Sequence, residues 1–120
     1  MHKIYYYRDR HGNKPIEEYI QELNAKKDKN SRIKLQKIRA YIVYLSKMGM
    51  AARAPYVKHL DGDIWELRPL RDRILFAAWT DGGFLLLHHF VKKTRETPPG
   101  EIDQAKREFA DWKEREPDNG

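Results

Sequence analysis

Between Lys58 and Thr97 the chain carries three runs of strand-forming residues separated by turn signals, and this stretch limits the folds open to everything around it. Asp61-Gly62 precedes the first run, Pro69 with Arg71-Asp72 breaks the first from the second, and Asp81-Gly82-Gly83 separates the second from the third. The expected unit is an antiparallel three-strand meander. Successive side chains of a strand point to opposite sides of a sheet. Trp65 and Leu67 therefore share one face and Ile64, Glu66 and Arg68 the other, while Arg73, Leu75, Ala77 and Trp79 oppose Ile74, Phe76 and Ala78. The third run, Phe84 to Val91, is apolar on both sides. It is expected to be the central strand, with helices on one face and the last helix or a partner on the other.

The flanking segments read as one strand and three helices. Ile4 to Tyr7 is β-prone, and His11-Gly12-Asn13 ends that strand. Asn13 is the expected cap of a short helix with Pro15 in its first turn and Ile16, Tyr19, Ile20 and Leu23 on one face. Ser31 is the expected cap of a second helix, whose core stripe is Leu35, Ile38, Ile42 and Leu45 and whose end is Gly49. After a connector from Ala51 to Tyr56 comes the meander. Thr97 then caps a last helix carrying Ile102, Ala105, Phe109 and Trp112 to about Arg115, with residues 116–120 expected to fray. The order is β-α-α-β-β-β-α, an α+β domain with a small mixed sheet, two helices on one face and a C-terminal helix.

Length and charge narrow the function. The 120 residues make one domain, 1–120, large enough to bury roughly two-thirds of its unfolded surface. Cysteine is absent, which removes disulfides and thiolate chemistry and suits a reducing cytoplasm. The longest apolar run, Ile74 to Trp79, is far below the ~18 residues of a membrane span, so a soluble cytoplasmic protein is expected. Residues 24–58 hold all of the excess positive charge, a block of +9 that residues 101–120, at −3, reduce to a net +6. Such a block suits a polyanion such as RNA, with Lys34, Lys37 and Arg39 as candidate contacts, or is a solvated helix face.

The residues that carry chemistry are cationic. His2, His11, His59, His88 and His89 make no metal-ligand pattern, and neither a phosphate-binding glycine loop nor a nucleophile elbow is present. No metal or cofactor is expected. Arg68, Arg73, Lys92 and Lys93 converge if the strands pair in the natural register of a meander, and Arg71 lies at the same end. Cations without a metal suit RNA cleavage by its own 2′-hydroxyl, because arginine binds phosphate bidentately and stabilises transition-state charge. The base and acid can be a histidine, a lysine or Glu66. The bland alternative is a surface ion pair between Glu66 and Arg68, with two lysines that end a strand.

The blocks WELR, at Trp65 to Arg68, and FVKKT followed by TPP, at Phe90 to Pro99, resemble the HigB-like branch of the RelE/ParE toxin superfamily, phage-derived members included. The similarity covers nearly the whole chain. It implies a RelE-like fold and a type II toxin: a ribosome-dependent, metal-independent mRNA endonuclease held by a cognate helix-turn-helix antitoxin. Residue by residue, Arg68 falls on the arginine of the family's ELR motif, Arg73 on the arginine that opens the next strand, and Lys92 and Lys93 on its double lysine. Other branches use a tyrosine or histidine near the C-terminus, where this chain is acidic. That role stays open among His89, Lys58, the two lysines and Tyr56. ParE-like members poison DNA gyrase, and a non-catalytic nucleic-acid-binding module is a third reading.

Overall fold

The computed structural model describes residues 1–116. Of the expected frayed tail, 117–120 lie outside the described residues, while Glu116 caps the last helix through its amide on the Trp112 carbonyl. The elements are β1 (Ile4–Tyr6), α1 (Pro15–Ala25), α2 (Lys29–Met48), β2 (Val57–Asp61), β3 (Ile64–Leu67), β4 (Asp72–Trp79), β5 (Gly83–Val91) and α3 (Pro99–Arg115). They form a mixed α+β domain around one five-stranded sheet in the order β1-β5-β4-β3-β2. β1 pairs parallel to β5, with Ile4 opposite Phe84, and the other pairings are antiparallel.

One strand escapes the sequence pattern. The sequence pattern assigns no strand to β2, which follows the Ala51 to Tyr56 connector, and it puts Asp61-Gly62 ahead of the first strand of the meander. Asp61-Gly62-Asp63 instead turns the β2–β3 hairpin, with Asp61 opposite Ile64 and Gly62 in the left-handed region at φ 54. β2 is an edge strand in which only Val57 is buried, so it lacks the apolar run that marks an interior strand. The extra strand also shifts the centre of the sheet. β4, not β5, is the middle strand, and β5 is interior, between β1 and β4.

Two cores follow from the alternation along β3, β4 and β5. Leu67, Ile74, Phe76, Phe84 and Leu86 pack with Ile16, Leu23, Leu35, Ile38 and Leu45 of α1 and α2. Ile64, Leu75, Ala77, Leu85 and Leu87 pack with Ala105 and Phe109 of α3. The second face of β5 is thus covered by the chain's own last helix.

The helix starts differ from expectation in a consistent way. Lys14 stands at the cap of α1 without a side-chain bond, because the Asn13 amide side chain is used by Asp9 at 3.0 Å. Asp28 caps α2, its carboxylate taking the Ser31 amide at 2.9 Å and hydroxyl at 2.8 Å. Pro98 opens α3, which leaves the Thr97 hydroxyl free for a distant partner. Gly49 does end α2, at φ 55, where a β-carbon would fall 2.2 Å from the His2 ring.

Candidate active site

The strand ends built from Arg68 and Arg73 meet on the α3 side of the sheet. Glu66 pairs across to Leu75 and Arg73 to Phe90, which puts Glu66, Arg68 and Arg73 on one face as the alternation required. Lys58 of β2 lies opposite Glu66 and so joins the same face. Together with Lys92, Arg95 and Thr97 they line a small polar recess.

At its floor is Glu66, 2% exposed and not the surface residue of the bland reading. Its Oε2 lies 3.4 Å from Arg68 Nε and 3.8 Å from Arg73 Nε, and its Oε1 accepts the Thr97 hydroxyl at 2.6 Å. Arg73 is buried, and Nη1 donates to the Leu70 carbonyl at 2.9 Å and the Asp72 carbonyl at 2.8 Å. Burial pulls its guanidinium below the usual value, opposed by Glu66, yet arginine stays charged in proteins. Arg68 Nε is buried without a hydrogen-bond partner among the described residues. A guanidinium that is fixed and incompletely bonded is ready to take an anion.

The structure separates the other candidates. Lys92 lines the recess, whereas Lys93 lies in a neighbouring surface groove with Thr94 and Pro98. Arg71 is exposed and donates to the Lys92 carbonyl at 3.1 Å, outside the recess lining. His89 lies on the opposite face of the sheet, stacked on Tyr19 at 3.6 Å between centroids, and burial lowers its pKa. Tyr56 is at the β2 edge, stacked on Tyr44, with its carbonyl accepting the Arg68 amide. On α2, Lys34 reaches Asp72 at 3.7 Å, while Lys37 and Arg39 are exposed. Arg39 is five positions beyond Lys34, hence about 140° around the helix, so the three cations do not form one face.

Three polar residues of the recess, Arg95, Glu96 and Thr97, are absent from the site candidates of the sequence. Thr97 looked like a cap but is a Glu66 ligand, and its only sequence signal was membership of the TPP block. Arg95 lies in the same loop, with no pattern to distinguish it. An apolar recess of about 190 Å³ between α2 and the strands is walled by Leu45, Val57, Trp65, Phe76 and Phe84. Its lining offers no cation for a phosphate. Among the described residues no group of three or more His, Asp or Glu side chains is arranged to hold a metal ion, and no helix is long and apolar enough to cross a membrane.

Compared with known families, residues 18–110 match the model of the phage derived protein Gp49-like family (DUF891). No curated protein matches the chain.

Proposed function

The chain belongs to the Gp49-like family, a family of RelE/HigB-like toxins of toxin–antitoxin systems, and we propose that it is a ribosome-dependent mRNA endonuclease of HigB type. One observation carries this reading: five cationic side chains, Lys58, Arg68, Arg73, Lys92 and Arg95, line a recess whose carboxylates are Glu66 and Glu96. The surplus charge suits a phosphodiester with two ionised groups to spare.

Arg73 and Arg68 take the scissile phosphate and offset the charge that develops in the transition state. Glu66 is held by both arginines and by Thr97, so it aims the guanidinium groups and is a poor acceptor for a substrate proton. Lys92, which shares their recess, is the lysine placed for phosphate contact or proton transfer. Lys58 and Arg95 bind flanking phosphates. The 2′-hydroxyl of the RNA attacks the adjacent 3′-phosphate, the P–O5′ bond breaks and the 5′-oxygen of the next nucleotide leaves as a hydroxyl, with the ribosome holding the strand in line for that attack. The partner that restrains the toxin is a helix-turn-helix antitoxin.

The test is cleavage of mRNA on programmed ribosomes. The 5′ fragment should end in a 2′,3′-cyclic or 3′-phosphate and the 3′ fragment should begin with a 5′-hydroxyl. Fragments with 5′-phosphates would overturn the mechanism, and intact mRNA beside gyrase-trapped, cleaved DNA would establish the ParE-like activity instead.

A further inference from the structure

Among the described residues, three buried side-chain polar atoms have no hydrogen-bond partner, and two of them, Arg68 Nε and Asp72 Oδ2, lie to either side of Arg73. Arg68 Nε is on the recess side of the sheet. Asp72, 1% exposed, is on the helical side, where its face neighbour is Ile74 of the α1–α2 core.

Two helices hold the Asp72 carboxylate. Tyr19 of α1 donates its hydroxyl to Oδ1 at 2.8 Å, and Lys34 of α2 stands 3.7 Å from Oδ2. His89 closes over Tyr19 with ring planes 11° apart, which restricts the phenol. A buried carboxylate with a neutral donor and a partly exposed lysine is a weak way to stabilise a fold. Its geometry on the other side offers a better reason.

The Asp72 amide donates to the Pro69 carbonyl at 3.0 Å, closing the β3–β4 turn. Inside that turn Leu70 has φ 56, a left-handed conformation that a leucine keeps only when its surroundings impose it. The carbonyls of Leu70 and Asp72 are the two that receive Arg73 Nη1. If the turn relaxed, both would turn away and the guanidinium would lose its orientation. We propose that Tyr19, Asp72 and Lys34 are positioning residues, which clamp the strained Pro69–Arg73 turn from behind the sheet and so fix the Arg73 guanidinium toward the recess. This rests on the reading of the recess as the cleavage site. It also gives Lys34 a partner within the protein, in place of a contact to RNA.

The decisive variant is Tyr19→Phe in the full chain, which removes one oxygen and keeps the ring under His89. The turnover number on programmed ribosomes should fall about ten- to a hundredfold, as for a small misplacement of a reacting group, with KM unchanged. The Arg73 Nε–Hε resonance, identified by its loss in Arg73→Ala, should shift or broaden. A purely structural role would lower the melting temperature and leave that resonance in place. Asp72→Asn, which still accepts from Tyr19, should retain more turnover than Asp72→Ala. Wild-type turnover in Tyr19→Phe, or an unmoved Arg73 resonance whatever the turnover, would overturn the inference. Full activity in Arg73→Ala would overturn the cleavage-site reading instead, and the resonance would still report whether Tyr19 positions Arg73.

Discussion

Two ionic clusters are buried on the α3 side of the sheet, and they carry opposite surpluses. His88 of β5 meets two carboxylates of α3, Glu108 at 2.6 Å on Nδ1 and Glu101 at 2.9 Å on Nε2. Gln104 donates to the second oxygen of Glu108 at 3.1 Å. Both ring nitrogens are used, and the two glutamates raise the His88 pKa against the opposing effect of burial. Glu66 is the inverse, one carboxylate beneath two guanidinium groups. There one arginine nitrogen remains without a hydrogen bond, and further cations line the opening. The first cluster engages both nitrogens of its histidine and both oxygens of Glu108, and it joins a helix to a strand. The second is left short of negative charge. What separates structural from functional here is the balance of donors and acceptors, since both are buried and both are ionic.

The largest effect should come from the unbalanced cluster. Arg73→Lys keeps a positive charge against Glu66 but loses the planar fork that binds phosphate through two nitrogens. mRNA cleavage on ribosomes should fall about a hundred- to a thousandfold, the loss expected for one transition-state donor, with little change in a urea melt. Full cleavage by Arg73→Lys would end the distinction between the clusters.

His88→Leu should do the reverse. It leaves Glu101 and Glu108 facing each other without a cation, and denaturant unfolding should show a loss of about 2–4 kcal/mol. Cleavage per folded molecule should be unchanged. A fully folded but inactive His88→Leu protein would place chemistry in the cluster assigned here to structure.

A smaller effect separates the flanks of α2. Lys37 lies on the Lys34 flank of the helix and Arg39 on the other, by the 100° step per residue. If RNA approaches from the end that holds Arg73, neutralising Lys37 should lower the salt dependence of ribosome binding by about one phosphate contact. Neutralising Arg39 should leave it unchanged. Equal effects would mean that the helix meets RNA across its whole outer surface.

The sequence made the arginine cluster legible because alternation is a local rule: once β3 and β4 pair, Glu66, Arg68 and Arg73 must share a face. The same rule separated His88 from His89 but could not say which faced α3 and the recess and which faced α1 and α2. That depends on where α3 docks, a contact more than ten residues away in the chain. Thr97 was hidden for a related reason. A threonine before two prolines has every local mark of a helix cap, and only the tertiary fold brings it to Glu66. β2 was hidden by being an edge, where exposure on both sides removes the apolar period that reveals a strand. Lys34 showed the limit of counting charges, since its partner Asp72 lies in another element.

The smallest expected effect is a pH dependence of stability in which the two histidines act in opposite directions. His88 has a raised pKa in the folded protein, so folding takes up protons there. Its contribution is complete below the unfolded value of about 6.5 and is lost as pH rises through the folded value. His89, desolvated on the other face beside Tyr19, has a lowered pKa. Its neutral form is favoured, so its contribution is complete above about 6.5 and is lost as pH falls through the folded value. The Asp111 carboxyl, lowered by Arg115, Tyr7 and Arg10, loses its contribution only in the more acid carboxylate range. Stability measured between about pH 5.5 and 8.5 should therefore pass through a shallow maximum near the unfolded histidine value, with neither limb steeper than about 1.4 kcal/mol per pH unit for one proton. His88→Gln should flatten the alkaline limb and leave the acid limb standing. If the alkaline limb survives that substitution, His88 is not the proton carrier of its cluster, and one of its contacts to Glu101 and Glu108 must be donated by a protonated carboxyl to a neutral ring.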